Sequence, residues 1–393
     1  MNKNFEAISA YIDEHQQDIL NDWRDLVNLE GHYAERENVE KAQQWVKERF
    51  EAEGFKCHVI ELMPERAGLL VGMLGEDRPG KPVIFSGHVD TVHHKGSFGR
   101  ENPFKIEDGK AFGPGVLDMK GGVVSALWIV RALNHIGYDE HPIKILFTGE
   151  EESDHVGNNA DELYTQEATG GLCAFNMETG HIQNRLCVGR KTQLTINAEI
   201  KGLGGHAGNE FTKGHNAVHE AILKCADLMK LTDLDKGTTV TVSIIDAGGN
   251  TNSTSIPDLA HFTVDMRVFT NELGEELLEK CDKIMNTTYV EGTETTWEVV
   301  RAKLHPFDEN EQITKLFDFV NGVAEENGFE KFGKIKLGGA SDAGAISEAG
   351  IPVLCSCGPI GEYNHNIREY AVVQSLFDRT KIFATAVTEI DNM

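Results

Sequence analysis

Apolar residues recur at helical spacing over residues 11–29 and again over 39–53, where Gly54 stops the pattern, so the first 55 residues read as helix. Beyond them short β-rich runs alternate with helical ones. PVIFS at 82–86, IKILFT at 143–148 and LCAFN at 172–176 are buried-strand candidates, and residues 119–134 between the first two form a Val-, Ala-, Leu- and Ile-rich helix. This strand–helix–strand alternation predicts an α/β layer with a largely parallel sheet. Near residue 190 the pattern changes. QLTINAEI at 193–200 alternates polar and apolar positions, as a half-solvated antiparallel strand does, and 238–245 and 260–268 do the same. Helical stretches at 217–231 and 272–285 and a strand at 297–302 complete a separate α+β unit. Helix returns at 312–327, followed by a Gly-rich loop and a strand at 352–355. The pattern therefore predicts one discontinuous α/β domain, residues 1–189 and 306–393, interrupted by an inserted α+β domain, 190–305.

A length of 393 residues is enough for two or three domains with a large core. Lys plus Arg number 37 against 63 Asp plus Glu, a formal net charge of −26. No basic excess is available to neutralise phosphates, which argues against nucleic acid and anionic membranes as partners. The N-terminus lacks the apolar core of a signal peptide, and no apolar run reaches 18 residues. Seven scattered cysteines form neither a disulfide framework nor a CxxC site, so the expectation is a cytoplasmic protein with reduced thiols.

Some motifs fail on inspection. GEDRPGK at 75–81 has the spacing of a phosphate loop, but Pro82 follows where a hydroxyl is needed, and a strand follows where one should precede. His215 and His219 lie four apart without a correctly placed glutamate, and read as a solvated helix face.

Other motifs converge. Three strands run into potential ligands: the first into Gly87-His88-Val89-Asp90, the second into Gly149-Glu150-Glu151-Glu152, the third into Met177-Glu178. Sites in α/β sheets form beyond the carboxyl ends of strands. GPGVLDMKGG at 113–122 adds Asp118 just before a helix. Singly, the acidic turn reads as solvated and Asp118 as a helix N-cap. Jointly, several carboxylates and an imidazole call for a cation to offset their repulsion. Mixed His and carboxylate ligands suit zinc, a carboxylate between two ligand sets can bridge a metal pair, and Asp90 suits the orienting of a ligating imidazole.

SGHVDTV, GPGVLDMKGG, the EEE turn, Glu178, GGASDAG and YNHNIREY, in this order along nearly the whole chain, resemble the co-catalytic zinc hydrolases that include acetylornithine deacetylase, succinyl-diaminopimelate desuccinylase, aminoacylase and glutamate carboxypeptidase. TVHHKGSFGRENPFKIEDGKAFGPG and GGHAGNEFTKGHNA are most similar to the glutamate carboxypeptidase members. The resemblance implies a zinc-exopeptidase-like catalytic domain with a mostly parallel central sheet and a ferredoxin-like inserted domain for dimerisation or as a lid. It implies two zinc ions per chain, for which cobalt or manganese can substitute. His88 and Glu178 would hold one, Glu152 and His365 the other, with Asp118 between them, Glu151 as general base, and a cis peptide after Asp118. Three acids compete for two roles in the turn, and the register chosen puts Glu150 at the position where relatives carry Asp. His365 is preferred over His305 because Glu369-Tyr370 follow it.

In the inserted domain the resemblance implies that His206 of GGHAG polarises the scissile carbonyl, within one chain or across a homodimer, and that Arg267 of VDMR binds a substrate carboxylate. Two departures bear on specificity: Phe211 stands where relatives often carry Pro, and Thr254 where an Asn is usual upstream of Ile256-Pro257, with Asn252 or Asn250 as substitutes. The implied activity is amide hydrolysis of a small N-acyl amino acid or short peptide with a free C-terminal carboxylate. Lys303 or Arg301 is a candidate second cation that would favour an acidic residue there. Peptidase and deacylase stay open, as does the alternative of a non-catalytic or weakly active metal-binding protein on the same fold.

Overall fold

Val83–His88, Ile143–Thr148 and Cys173–Asn176 lie side by side and parallel in a six-stranded sheet. The sheet runs Lys56–Ile60, Leu69–Leu74, Ile143–Thr148, Val83–His88, Cys173–Asn176, Val353–Leu354. Every residue of Val83–His88 is buried, which explains a continuous apolar run in place of alternation. The two outer strands, Lys56–Ile60 and Leu69–Leu74, are antiparallel, so the sheet is mixed, parallel only in its inner and far part. The computed structural model describes residues 3–247, 252–301 and 304–393. They divide into one unit of Met1–Gly189, Phe307–Leu337 and Ser341–Met393, and a second of Arg190–Pro306 with Gly338–Ala340.

In the first unit the helix Lys120–His135 is buried along nearly its full length and packs against Gln16–Asn28 and Val373–Thr388. The N-terminal helical stretch is three helices, Lys3–Glu14, Gln16–Asn28 and Arg36–Ala52. Residues between the last two leave the helix because Gly31 and His32 pair with Thr91, beside the site strand. A second sheet of seven short strands, in the order Gly333–Leu337, Arg185–Arg190, Gly180–His181, Ile360–Glu362, Tyr370–Val372, Lys110–Phe112, Lys105–Glu107, flanks the motif loops. The C-terminal helix Val373–Thr388 carries Phe383, fully buried with its ring centroid 5.1 Å from that of Phe175. Truncating a buried Phe removes apolar burial and leaves a cavity. Phe383→Ala is therefore expected to cost about 3–5 kcal/mol, read as a lower denaturation midpoint without a change in the metal ligands.

The second unit has the order strand Thr192–Lys201, helix Ala217–Met229, strands Thr239–Asp246 and Leu259–Val268, helix Asn271–Met285, strand Glu294–Arg301. Its sheet order, Thr239–Asp246, Leu259–Val268, Thr192–Lys201, Glu294–Arg301, is antiparallel throughout and ferredoxin-like. Leu194, Ile196, Ala198 and Ile200 point into a core shared with the two helices, which accounts for the strict alternation. The strand holding QLTINAEI is central in this sheet, so it offers no edge to a second copy. The edges are Thr239–Asp246, where Ile244 and Ile245 are exposed, and Glu294–Arg301. Asn250, Lys303 and the side chain of Arg301 lie outside the described residues.

Candidate metal centre

His88 ends its strand fully buried. Its Nδ1 lies 3.1 Å from the Asp90 carbonyl and 3.4 Å from Asp90 Oδ1. Its Nε2 faces carboxylates: Asp118 Oδ1 at 3.3 Å, Glu178 Oε1 at 3.4 Å and Glu151 Oε2 at 3.9 Å. Asp118 reaches this point because the glycine pair opens the helix closely: a Cβ on Gly122 would sit 1.8 Å from the Met177 carbonyl, next to Glu178. The Asp118–Met119 peptide is cis. Met119, not Asp118, occupies the cap position, so the Asp118 carboxylate is not spent on capping. Its Oδ2 lies 3.3 Å from His365 Nε2 and accepts from Asn364 Nδ2 at 3.0 Å.

The acidic turn is not freely solvated: Glu150 is buried, and the side chains of Glu151 and Glu152 are only 11% and 6% exposed. Asp90 accepts from the Glu151 amide with Oδ1 at 3.3 Å and from the Glu152 amide with Oδ2 at 3.0 Å, so one residue fixes the turn with its carboxylate and meets the His88 imidazole with its carbonyl. Glu150 bonds Ser153 Oγ at 2.7 Å and takes no part in the cluster. Glu152 Oε2 is 3.1 Å from His365 Nε2. His365 stands in left-handed backbone, φ 60°, a conformation that costs energy and is common at sites.

Burial alone would push the His88 imidazole down, yet Asp118, Asp90 and Glu178 hold it well above its ordinary range. Burial, with the Glu178, Asp342 and Glu152 charges added, holds Glu151 well above the usual carboxylate range, although His88 opposes it. Burial and the Asp118 charge push Glu152 up to about 7. Hydrogen bonds to Asp118 and Glu152 push His365 up to about 11. The common cause is an excess of buried negative charge that protons must offset where no metal does. His88 Nε2 and Glu152 Oε1 are moreover buried without a hydrogen-bond partner. Two overlapping ligand groups, His88–Asp118–Glu152 and His88–Glu151–Glu178, have donor atoms within 4.8 Å of one another. Orphaned donors and an N/O set of this kind fit zinc. Glu151 belongs to one of these groups and His365 to neither, so proximity alone does not separate base from ligand.

Glu369, used in the sequence only to fix the register of His365, is fully buried and accepts from the amides of Leu117 at 2.8 Å and Asp118 at 3.0 Å, while its other oxygen meets His93 Nε2 at 3.0 Å. It cradles the loop that carries Asp118. Partners of this kind typically contribute 10–100-fold to metal affinity. Glu369→Gln is expected to weaken zinc binding by about 10–100-fold, measured by titration against a chelating dye.

In the second unit, His206 is exposed, and its Nδ1 lies 3.1 Å from the amides of both Gly208 and Asn209. Accepting there assigns the proton of the neutral ring to Nε2. Arg267 pairs through Nε with Asp265 of its own strand at 3.1 Å. Asn252 turns its Oδ1 onto the amide and hydroxyl of Thr254 at 2.9 and 2.7 Å.

The mixed sheet, the ferredoxin-like insert and a carboxylate–imidazole cluster at the strand ends define a metal-dependent hydrolase. The model of peptidase family M20/M25/M40 matches residues 84–389, and the chain belongs to that family. It is 26% identical over 384 residues to carboxypeptidase G2 of a Pseudomonas species, covering 96% of this chain and 90% of that one. It is 27% identical over 341 residues to succinyl-diaminopimelate desuccinylase of Gluconacetobacter diazotrophicus, covering 82% and 84%. The fold matches that of aminopeptidase PepT from Bacillus cereus with a TM-score of 0.81 at 22% identity, over 96% of this chain and 99% of the other. The activity this supports is metal-dependent hydrolysis of an amide bond. No helix among the described residues is long and apolar enough to cross a membrane.

Proposed function

We propose that the protein is a dizinc amidohydrolase that releases an amino acid with a free carboxylate from a small N-acyl amino acid or short peptide. The observation that carries the reading is Asp118, whose Oδ1 and Oδ2 each lie 3.3 Å from a different imidazole Nε2, those of His88 and His365. His88 and Glu178 would hold one zinc, Glu152 and His365 the other, with Asp118 shared. Zinc bound there supplies a lowered water pKa and a Lewis acid for the carbonyl oxygen. Glu151 takes a proton from the attacking water and returns it to the nitrogen as the C–N bond breaks. Asp90 holds the Glu151 amide and the His88 ring in one frame. His206, with its proton on Nε2, donates to the developing oxyanion. A homodimer through the second unit is part of the reading, supported by the apolar edge at Ile244 and Ile245. The seven free cysteines fit a reducing, cytoplasmic setting.

Arg267 is proposed to grip the substrate carboxylate, with part of its guanidinium held in place by Asp265. The test compares N-acyl-glutamate and N-acyl-leucine with their C-terminal amides. Faster cleavage of the acids is expected. Equal rates for acid and amide would remove the clamp, and a leucine preference would remove only the preference for an acidic residue.

A further inference from the structure

Behind the acidic turn lies a second buried charge cluster that the reaction as described does not use. Asp154 and His155 follow the turn, and both are non-glycine residues in left-handed backbone, φ 55° and 52°. Backbone of this kind persists only where the surroundings over-determine it. Here its effect is to turn the His155 imidazole inward, to complete burial. The ring meets carboxylates on two sides: Nδ1 is 2.6 Å from Asp161 Oδ1, and Nε2 is 3.1 Å from Asp342 Oδ1 and 3.8 Å from Glu150 Oε1. Glu150, Asp161 and Asp342 are all buried as well.

The cluster is joined to the site at both ends. Glu150 precedes Glu151 directly. Asp342, from the GGASDAG motif, meets the Tyr164 hydroxyl at 2.8 Å through its other oxygen, and the same hydroxyl donates to the Gly87 carbonyl at 3.1 Å, one residue before His88. The Tyr164 ring lies parallel to that of His155, 6.1 Å between centroids.

We infer that His155 is a positioning residue, an imidazolium whose charge holds Glu150, Asp161 and Asp342 together and so sets the acidic turn, with Glu151 and Glu152 on it, against the strand that ends in His88. The inference rests on the reading of Glu152 as ligand and Glu151 as base. Burial opposes the charge on His155, but the hydrogen bond to Asp161 and the Asp342 carboxylate 3.1 Å from Nε2 outweigh it and hold the imidazole well above its ordinary range. Without the imidazolium, Glu150, Asp161 and Asp342 lose the charge that offsets theirs, and Glu150, next to Glu151, carries that loss into the turn. Asn at 342 would keep an oxygen for Tyr164 while removing one charge, so the loss at 155 should be repaired by a second loss at 342.

The test uses the full chain with His155→Gln, Asp342→Asn and both together. Zinc affinity is titrated on metal-free protein, and kcat and KM are measured at saturating zinc on the better of N-acyl-glutamate and N-acyl-leucine. His155→Gln is expected to weaken zinc binding and to lower kcat by about 10–100-fold each, with KM within about twofold, and the double variant to recover most of both. A His155→Gln chain that loses only thermal stability, with zinc affinity and kcat unchanged, overturns the inference. So does a double variant that does no better than the single one, in folding or in zinc binding. Zinc affinity that follows the expected pattern in a protein that cleaves neither substrate would sustain the positioning role and count against the amidohydrolase reading instead.

Discussion

Glu151→Gln is expected to keep the full metal complement and lose turnover by about 100- to 10,000-fold, the usual contribution of a general base. Glutamine preserves the size of the side chain and its place on a turn whose amides are held by Asp90. What it removes is the ability to accept a proton. Glu152→Gln is expected to behave differently: Glu152 faces His365 at 3.1 Å with one oxygen and buries the other without a partner, so its loss should show first as a lower metal content. Elemental analysis and single-turnover rates on the two variants separate the roles. The reverse pattern would shift the assignment along the EEE turn by one residue.

Removing metal with a chelator is expected to abolish hydrolysis and to lower thermal stability together. The carboxylates of Asp118, Glu151, Glu152 and Glu178 crowd the Nε2 of His88, within 3.9 Å of it for three of them. Only protons offset that charge when the metal is gone. A ligand that binds the folded state alone stabilises it by about 4 kcal/mol at a thousandfold excess over its Kd. Re-adding zinc to the chelated protein should raise the midpoint of thermal unfolding with the logarithm of free zinc. An unfolding curve that ignores zinc would show that the cluster does not bind it in the folded state.

Much of the site is legible in the sequence because its parts sit on regular elements. His88 and the acidic turn end strands whose apolar runs are unmistakable, and Asp118 opens a helix marked by two glycines. What was not legible depends on contacts far apart in the chain. Glu369 is separated by some 250 residues from the amides of Leu117 and Asp118 that it accepts from, and nothing local distinguishes it from a surface acid. His155 reads as one more polar residue of a loop; only the fold brings Asp342 to it. Five of the seven strands of the second sheet in the first unit, such as Gly180–His181 and Tyr370–Val372, are two or three residues long, too short for an alternation to show. Leu69–Leu74 hides for another reason. Gly72 interrupts it, required because a Cβ there would come within 2.8 Å of Cys57 and Ile145 side chains on both neighbouring strands. The central place of QLTINAEI in its sheet was equally out of reach, since alternation reports one buried face and says nothing about which strands lie alongside.

Anomalous diffraction at the zinc edge, on crystals of the metal-saturated protein, would locate the metal ions directly. A pair of peaks is expected, each about 2.0–2.2 Å from an oxygen of Asp118, one also bound by His88 and Glu178 and the other by Glu152 and His365. A single peak, or a pair in which Asp118 touches only one, would contradict this ligand assignment.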